Sequence, residues 1–191
     1  MIACNHASYL DPIANTYALI RAGRRPRFLA KDDLFKIPIV GAAMRGCRQI
    51  PVRRGARDGS SLRLAEAALA AGEVVVVYPE GTVTRRDDGL PMEGKTGIAR
   101  LALATEVPVT PMVSWGSAPV WQKSGPGSLR PRRPVWVAVG DAIDLRERLG
   151  RDDDPGDPEV HRVLTRVVMQ TLTTMVIDLR DRYPERWATA K

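Results

Sequence analysis

The sequence predicts a single α/β domain with a mostly parallel central sheet flanked by helices, on three observations. Short apolar stretches alternate with longer segments whose apolar residues recur at three- and four-residue spacing. The run Val74 to Tyr78 is apolar throughout, as a strand buried on both faces of a parallel sheet must be. A length of 191 residues suits one domain and is short for two.

Ile2 to Cys4 reads as the end of a strand. Asp11-Pro12 then opens a helix, IANTYALIRAG, with proline in its first turn and a stop near Gly23. A short strand, RFLA, follows. DDLFKIPIVGAAMRG begins with acidic capping residues and crowds Leu34, Phe35, Ile37, Ile39 and Val40 into more apolar surface than one helical face can hide. Two readings stay open for it: a core helix broken at Pro38, or a surface that meets lipid or an acyl chain.

Arg48 to Val52 reads as the next strand and runs into Arg53-Arg54-Gly55. Asp58 to Gly72 predicts a helix with Leu62, Ala65 and Leu69 on one side and a glycine stop. After the valine strand, a helix near Thr96 to Thr105 and a strand near Val107 to Val113 repeat the alternation. SAPVWQKSGPGSLRPRRP is loop-like, and Val135 to Val139 is one more strand. The acidic RDDDPGDP reads as a surface linker. It leads to a helix over about 158 to 183 whose Val160, Val163, Leu164, Val167, Val168, Leu172, Met175, Val176 and Leu179 predict packing on the sheet. The motif-bearing core is thus 1–140 of a 1–191 domain, and no internal repeat or low-complexity tract interrupts it.

Composition narrows the function. Hydrophobic residues at 44% and charged residues at 27% are globular values. No segment offers the roughly 18 uninterrupted apolar residues of a spanning helix, and no secretory signal is legible, so a soluble or peripheral chain is expected. Cys4 and Cys47 make no disulfide framework, which favours a reducing cytoplasmic compartment. The net charge of +7 suits phosphate in some form. RNP-type aromatic motifs and zinc-finger spacings are absent, which speaks against nucleic acid as the partner.

Three loops at the ends of apolar strands hold the chemically versatile residues: NHASYLD, RRG and YPEGTVTRRDDG. In open α/β sheets ligands bind beyond the carboxyl ends of the strands, so these loops are candidates to converge. His6 can accept a proton near neutral pH, and an aspartate on its other ring nitrogen would fix the tautomer. Asp11 is five residues on. Spacing alone leans toward the simpler alternative, in which Asp11 caps the helix at Pro12 and His6 is an ordinary loop residue. Ser8 makes a poor nucleophile, because it shares the loop with His6 and no G-x-S-x-G elbow is present. A metal site lacks a third ligand at sensible spacing. His161, on the flank of the last helix, reads as solvated.

A rival reading lies in Gly89-Leu-Pro-Met-Glu-Gly94-Lys95-Thr96, which matches the G-x-x-x-x-G-K-[ST] phosphate loop of NTPases. Its context argues against that role. RRDDG rather than a strand precedes it, and Pro91 removes one of the backbone donors by which such loops work.

Taken together, the loops resemble the glycerolipid acyltransferase family, in particular lysophosphatidic acid (1-acylglycerol-3-phosphate) acyltransferases. NHASYLD is similar to the family's N-H-x-x-x-x-D block, and Ile50-Pro-Val-Arg-Arg-Gly55 to its second block, with Arg54 at the expected arginine. YPEGTVTR, 78 to 85, resembles the third block, and Val107-Pro-Val-Thr-Pro111 the fourth. The resemblance implies a glycerol-3-phosphate acyltransferase-like fold. It also implies that His6, oriented by Asp11, takes the proton of a lysophospholipid hydroxyl, which attacks the thioester of acyl-CoA or an acyl carrier protein. Arg54 is implied to bind the acceptor's phosphate, with Glu80, Gly81 and Thr82 shaping that pocket and Arg85 and Lys95 adding positive charge. No metal, cofactor or enzyme-bound intermediate is implied, and the expected location is peripheral, on the cytoplasmic face of the membrane.

Two features depart from the family pattern. Val83 stands where the third block usually has its first arginine, which points toward a different acceptor or reliance on Arg85. The first block begins at residue 5, so the expectation is a truncated or minimal form without the N-terminal, often membrane-associated segment of relatives.

Overall fold

The computed structural model describes residues 1–53, 60–122, 125–127 and 133–188. Five parallel strands run β1 (Ile2–Cys4), β2 (Pro26–Lys31), β3 (Ile50–Val52), β4 (Val74–Val77) and β5 (Thr110–Trp115). β6 (Trp121–Gln122) and β7 (Gly125–Pro126) form a small separate hairpin, and β8 (Trp136–Val139) pairs antiparallel with β5. The main sheet has the order β3-β2-β4-β1-β5-β8. This is the expected single α/β domain, with one antiparallel edge.

The helices are α1 (Asp11–Arg21), α2 (Asp32–Lys36), α3 (Pro38–Gly46), α4 (Ser60–Ala70), α5 (Gly97–Thr105), α6 (Pro158–Asp181) and α7 (Glu185–Ala188). The valine run of β4 explains the layering. Val75 and Val77 point into the larger core with residues of α4, α5 and α6, while Val76 joins Cys4, Leu19, Phe28 and Met112 beneath α1. The strand is therefore apolar on both faces because both faces are covered. β1 lies between β4 and β5, with Ile2 beside Val76 and Thr110. From β1 the chain crosses by α1 to β2 on one side; from β4 it crosses by α5 to β5 on the other. The loops after β1 and β4 therefore part at the switch point where α/β sheets form ligand crevices.

Several expectations need correction. DDLFKIPIVGAAMRG is not a core helix: it forms α2 and α3, with Pro38 opening the second, and Ile39 is 85% exposed beside exposed Leu34, Ile37 and Val40. Its residues lie beyond the end of β2, past the sheet that would have buried them. The third strand starts at Ile50 rather than Arg48, because Arg48 takes a left-handed backbone with φ 54° that no strand continues. The fifth starts at Thr110, with Val109 only bridging Ile143. In α6 the buried residues are Leu164, Thr165, Val168, Met169, Leu172, Val176 and Leu179, and Val163 faces solvent. The hairpin within the loop-like stretch and α7 were not legible. The predicted helix start at Asp58 lies outside the described residues.

Candidate active site

NHASYLD leaves β1 as a tight loop folded around the Asp11 carboxylate. Oδ2 accepts from the backbone N–H groups of Ala7 (2.6 Å) and Ser8 (2.7 Å) and lies 3.2 Å from His6 Nδ1. Oδ1 accepts from Ser117 Oγ (2.6 Å) and Ser114 Oγ (3.3 Å). Asp11 is thus fully buried and fully bonded, as a carboxylate withdrawn from water must be. The helix-cap alternative does not hold: Leu10 is the N-cap of α1 without a side-chain bond, and Asp11 binds the preceding loop instead. A carboxylate at Nδ1 makes that nitrogen the N–H donor of the neutral imidazole and leaves the lone pair on Nε2.

The imidazole is held from other directions as well. Tyr78, at the end of β4, stacks on His6 with ring centroids 4.3 Å apart, and Phe28 stacks behind Tyr78. The Tyr78 hydroxyl accepts from Asn15 Nδ2 at 3.0 Å, and burial pushes the phenol's pKa well up. Asn5 ties the end of β1 to β5: its Nδ2 donates to the Ser114 carbonyl and its Oδ1 accepts from the Ser114 N–H. The Ser8 hydroxyl donates to the Trp121 carbonyl at 2.7 Å and accepts from the Leu10 N–H, so it is already committed. Burial raises the thiol of Cys4 far above its usual range.

Glu80 is almost completely buried. Its Oε1 accepts from the His6 N–H (2.9 Å) and Oε2 from the Met92 N–H (3.0 Å), so it clasps the two loops together and faces away from solvent. Burial raises its pKa to about 7, against the lowering effect of those two bonds. The His6 carbonyl accepts in turn from the Thr84 N–H at 2.7 Å.

Beside this loop opens a cavity of about 350 Å³ whose lining includes Lys31, Arg53, Lys95 and Arg100, the serines Ser60 and Ser61, and Tyr78. Four cations converging on one cavity are the elements of an anion site. Gly81 lines it with φ +67°, and a Cβ there would lie 2.9 Å from Lys95 Nζ, so the glycine gives the lysine its passage. Tyr78 belongs both to this cavity and to the stack on His6.

Of the residues picked out in the sequence, the structure brings His6, Asp11, Glu80, Gly81 and Lys95 together. Glu80 acts inside the loops rather than on the cavity wall, and Thr82 and Arg85 do not line the cavity. Arg54 lies outside the described residues, next in sequence to Arg53. Val83 is 1% exposed. In the NTPase-like stretch the backbone N–H groups of Gly89, Leu90, Met92 and Lys95 are spent on Arg86, Asp88, Glu80 and Pro79 and so cannot cradle a phosphate. Sequence reading missed Asn5, Tyr78, Ser114 and Ser117. The first two sit inside quoted motifs, but no local signal marks serines more than a hundred residues from Asp11.

A sequence model of the acyltransferase family matches residues 1–115, which hold every residue of this constellation except Ser117 and Trp121. The chain belongs to the acyltransferase family. It is 32% identical over 129 residues to a chloroplastic 1-acyl-sn-glycerol-3-phosphate acyltransferase of Brassica napus, an alignment spanning 65% of this chain and 35% of that protein. A Bacillus subtilis enzyme of the same description is 30% identical over 108 residues, covering 56% of this chain and 53% of the relative. The crystal structure of a 1-acyl-sn-glycerophosphate acyltransferase from Thermotoga maritima superposes with a TM-score of 0.66 at 26% identity. That match covers 96% of this chain and 67% of the other. The chain therefore spans about a third to a half of the length of these curated relatives.

Proposed function

We propose that this chain transfers a fatty acyl group from an acyl thioester, acyl-CoA or acyl carrier protein, to the free hydroxyl of lysophosphatidic acid, giving phosphatidic acid. The observation that carries the reading is His6 with Nδ1 on a buried carboxylate, joined through Tyr78 to a cavity lined by four cations. In this reading His6 Nε2 takes the proton of the acceptor hydroxyl as its oxygen attacks the thioester carbonyl. The tetrahedral intermediate collapses with loss of the thiolate, which recovers that proton from the imidazolium, so no proton is gained or lost by the enzyme. Asp11 stabilises the imidazolium in between. Ser8 and Cys4 are committed or buried, which supports direct transfer to the acceptor rather than a covalent enzyme intermediate. Lys31, Arg53, Lys95 and Arg100 hold the acceptor's phosphate, with Arg54 assigned there by motif. Among the described residues no helix is long and apolar enough to cross a membrane. In this reading the lipid substrates are met at the cytoplasmic membrane surface.

One observation favours a second acceptor class, another lipid or glycolipid hydroxyl. Val83 is buried at the position where the resembled third block usually has its first arginine, so that position offers the acceptor no charge. Both readings are tested by an acceptor screen with acyl-CoA, read by mass spectrometry of the lipid product alongside thiol release. Phosphatidic acid as the main product supports the first reading, an acylated glycolipid the second. Full turnover by His6→Ala would refute the base mechanism common to both.

A further inference from the structure

α1 is amphipathic the wrong way round. The residues it buries are Asp11, Asn15 and Leu19, while Ile13 is 67%, Tyr17 68% and Ile20 58% exposed. A surface helix ordinarily hides its apolar stripe against the core. Here the inner face is taken up by the Asp11 and Asn15 bonds to the His6 loop and Tyr78, and the apolar stripe at spacing four and three faces outward. The stripe continues beyond the helix start to Tyr9, 42% exposed, whose ring meets that of Trp121, 45% exposed. The hairpin backbone fixes Trp121 in place, its carbonyl accepting from Ser8 Oγ and the Tyr9 N–H. Tyr9 stands edge-on to His6 with centroids 6.4 Å apart. At the other end of the helix, Arg21, Arg24 and Arg25 are exposed.

From this arrangement we infer that the Tyr9, Ile13, Tyr17, Ile20 and Trp121 surface is the face by which the protein docks on an anionic lipid bilayer. Apolar residues flanked by aromatic rings and arginines are the chemistry of a helix lying in the interface. A single acyl chain does not satisfy the stripe, because a convex helix face has no walls to shield the chain's far side. A second copy of this chain fits poorly, because a symmetric contact would bring the arginines of two highly basic molecules together. Docked in this way, the chain presents His6 at the lipid surface, so an acceptor need not leave the membrane. Only that last consequence rests on the acyltransferase reading.

The test is sedimentation with vesicles of phosphatidylcholine, with and without phosphatidylglycerol, for the wild-type chain and the triple variant Ile13→Ser, Tyr17→Ser, Ile20→Ser. Binding by wild type that rises with phosphatidylglycerol and falls about tenfold or more in the variant is expected, since three exposed apolar contacts are removed. Turnover of a short-chain, water-soluble acceptor and thioester should be unchanged, as should the melting temperature. Undiminished vesicle binding by the triple variant overturns the proposal, as does loss of binding in Ile39→Ser on α3 with the α1 variant still bound. So does a wild-type dimer that the triple variant breaks into monomers. Failure of wild type to turn over any soluble substrate would count against the acyltransferase reading alone, with vesicle binding still deciding the docking face.

Discussion

Asp11 satisfies both its oxygens without the helix it begins, so its substitution has consequences beyond a lost charge. Asp11→Asn turns one carboxylate oxygen into an N–H₂ donor facing other donors, Ala7 N–H, Ser8 N–H and His6 Nδ1, or the two serine hydroxyls. The expected outcome is a fall in turnover by about 10²–10⁴-fold, measured as thiol release, with a loss of thermal stability. Glu80 gives a pH test. Its carboxyl titrates at about 7 in the folded chain against an ordinary 4.5, so between these values the native state holds a proton that the unfolded state has released. Stability from this group is therefore greatest below the unfolded value and declines as pH rises through about 7, by on the order of 3 kcal/mol. Glu80→Gln cannot ionise and should flatten that slope in melts at pH 5 and pH 8. The same variant replaces an acceptor for the His6 or Met92 N–H and should slow turnover at either pH. His6 and Asp11 were legible from their motif, but the inward direction of Glu80 was not, because a glutamate in a Pro-Glu-Gly turn carries no mark of which loop it will bind.

At the scale of elements, α6 distinguishes what periodicity can and cannot decide. The three-and-four spacing of its apolar residues marks a helix and a broad buried face, yet Val163 and Leu164 fall within that spacing and only Leu164 is buried. The width of the seam depends on how close the sheet comes, which spacing does not contain. Leu172→Ala should cost about 2–5 kcal/mol in chemical denaturation, since that side chain is fully enclosed. Val163→Ser should lie within about 0.5 kcal/mol of wild type. α2 and α3 make the same point in reverse. Their crowded apolar residues identified an unusual segment, and only the position of β2's end decided that it stays exposed. The β6–β7 hairpin escaped notice because two-residue strands in a Gly- and Pro-rich stretch have no period to read.

Across the whole molecule, excess positive charge and a cation-lined cavity act together. Lys31, Arg53 and the pair Lys95 and Arg100 come from three separate segments, so their convergence follows from the parallel order of β2, β3 and β4. A phosphorylated acceptor should accordingly bind less well as salt rises, its KM increasing between roughly 0.05 and 0.5 M ionic strength while kcat changes little. An uncharged acceptor should show no such trend, which makes the comparison a direct reading of the cavity's role. Lys95→Ala should reproduce at low salt what screening does at high salt. The α/β class was legible because alternation and the valine run report burial directly. The strand order was not, because nothing local tells β1 that its neighbours lie so far along the chain.

That placement of β1 bears on the order in which the molecule can be made. The earliest strand of this sequence pairs only with strands that begin at Val74 and Thr110, and Asp11 is completed only by Ser114 and Ser117. Contacts between segments so distant incur the full entropy of loop closure before they return any stabilisation, which makes assembly slow. A nascent chain therefore displays the His6 loop long before it can hold it, and Asp11 has all its partners only once Ser117 has been added. An incomplete or misfolded copy is a chain with every motif residue in place and no oriented imidazole.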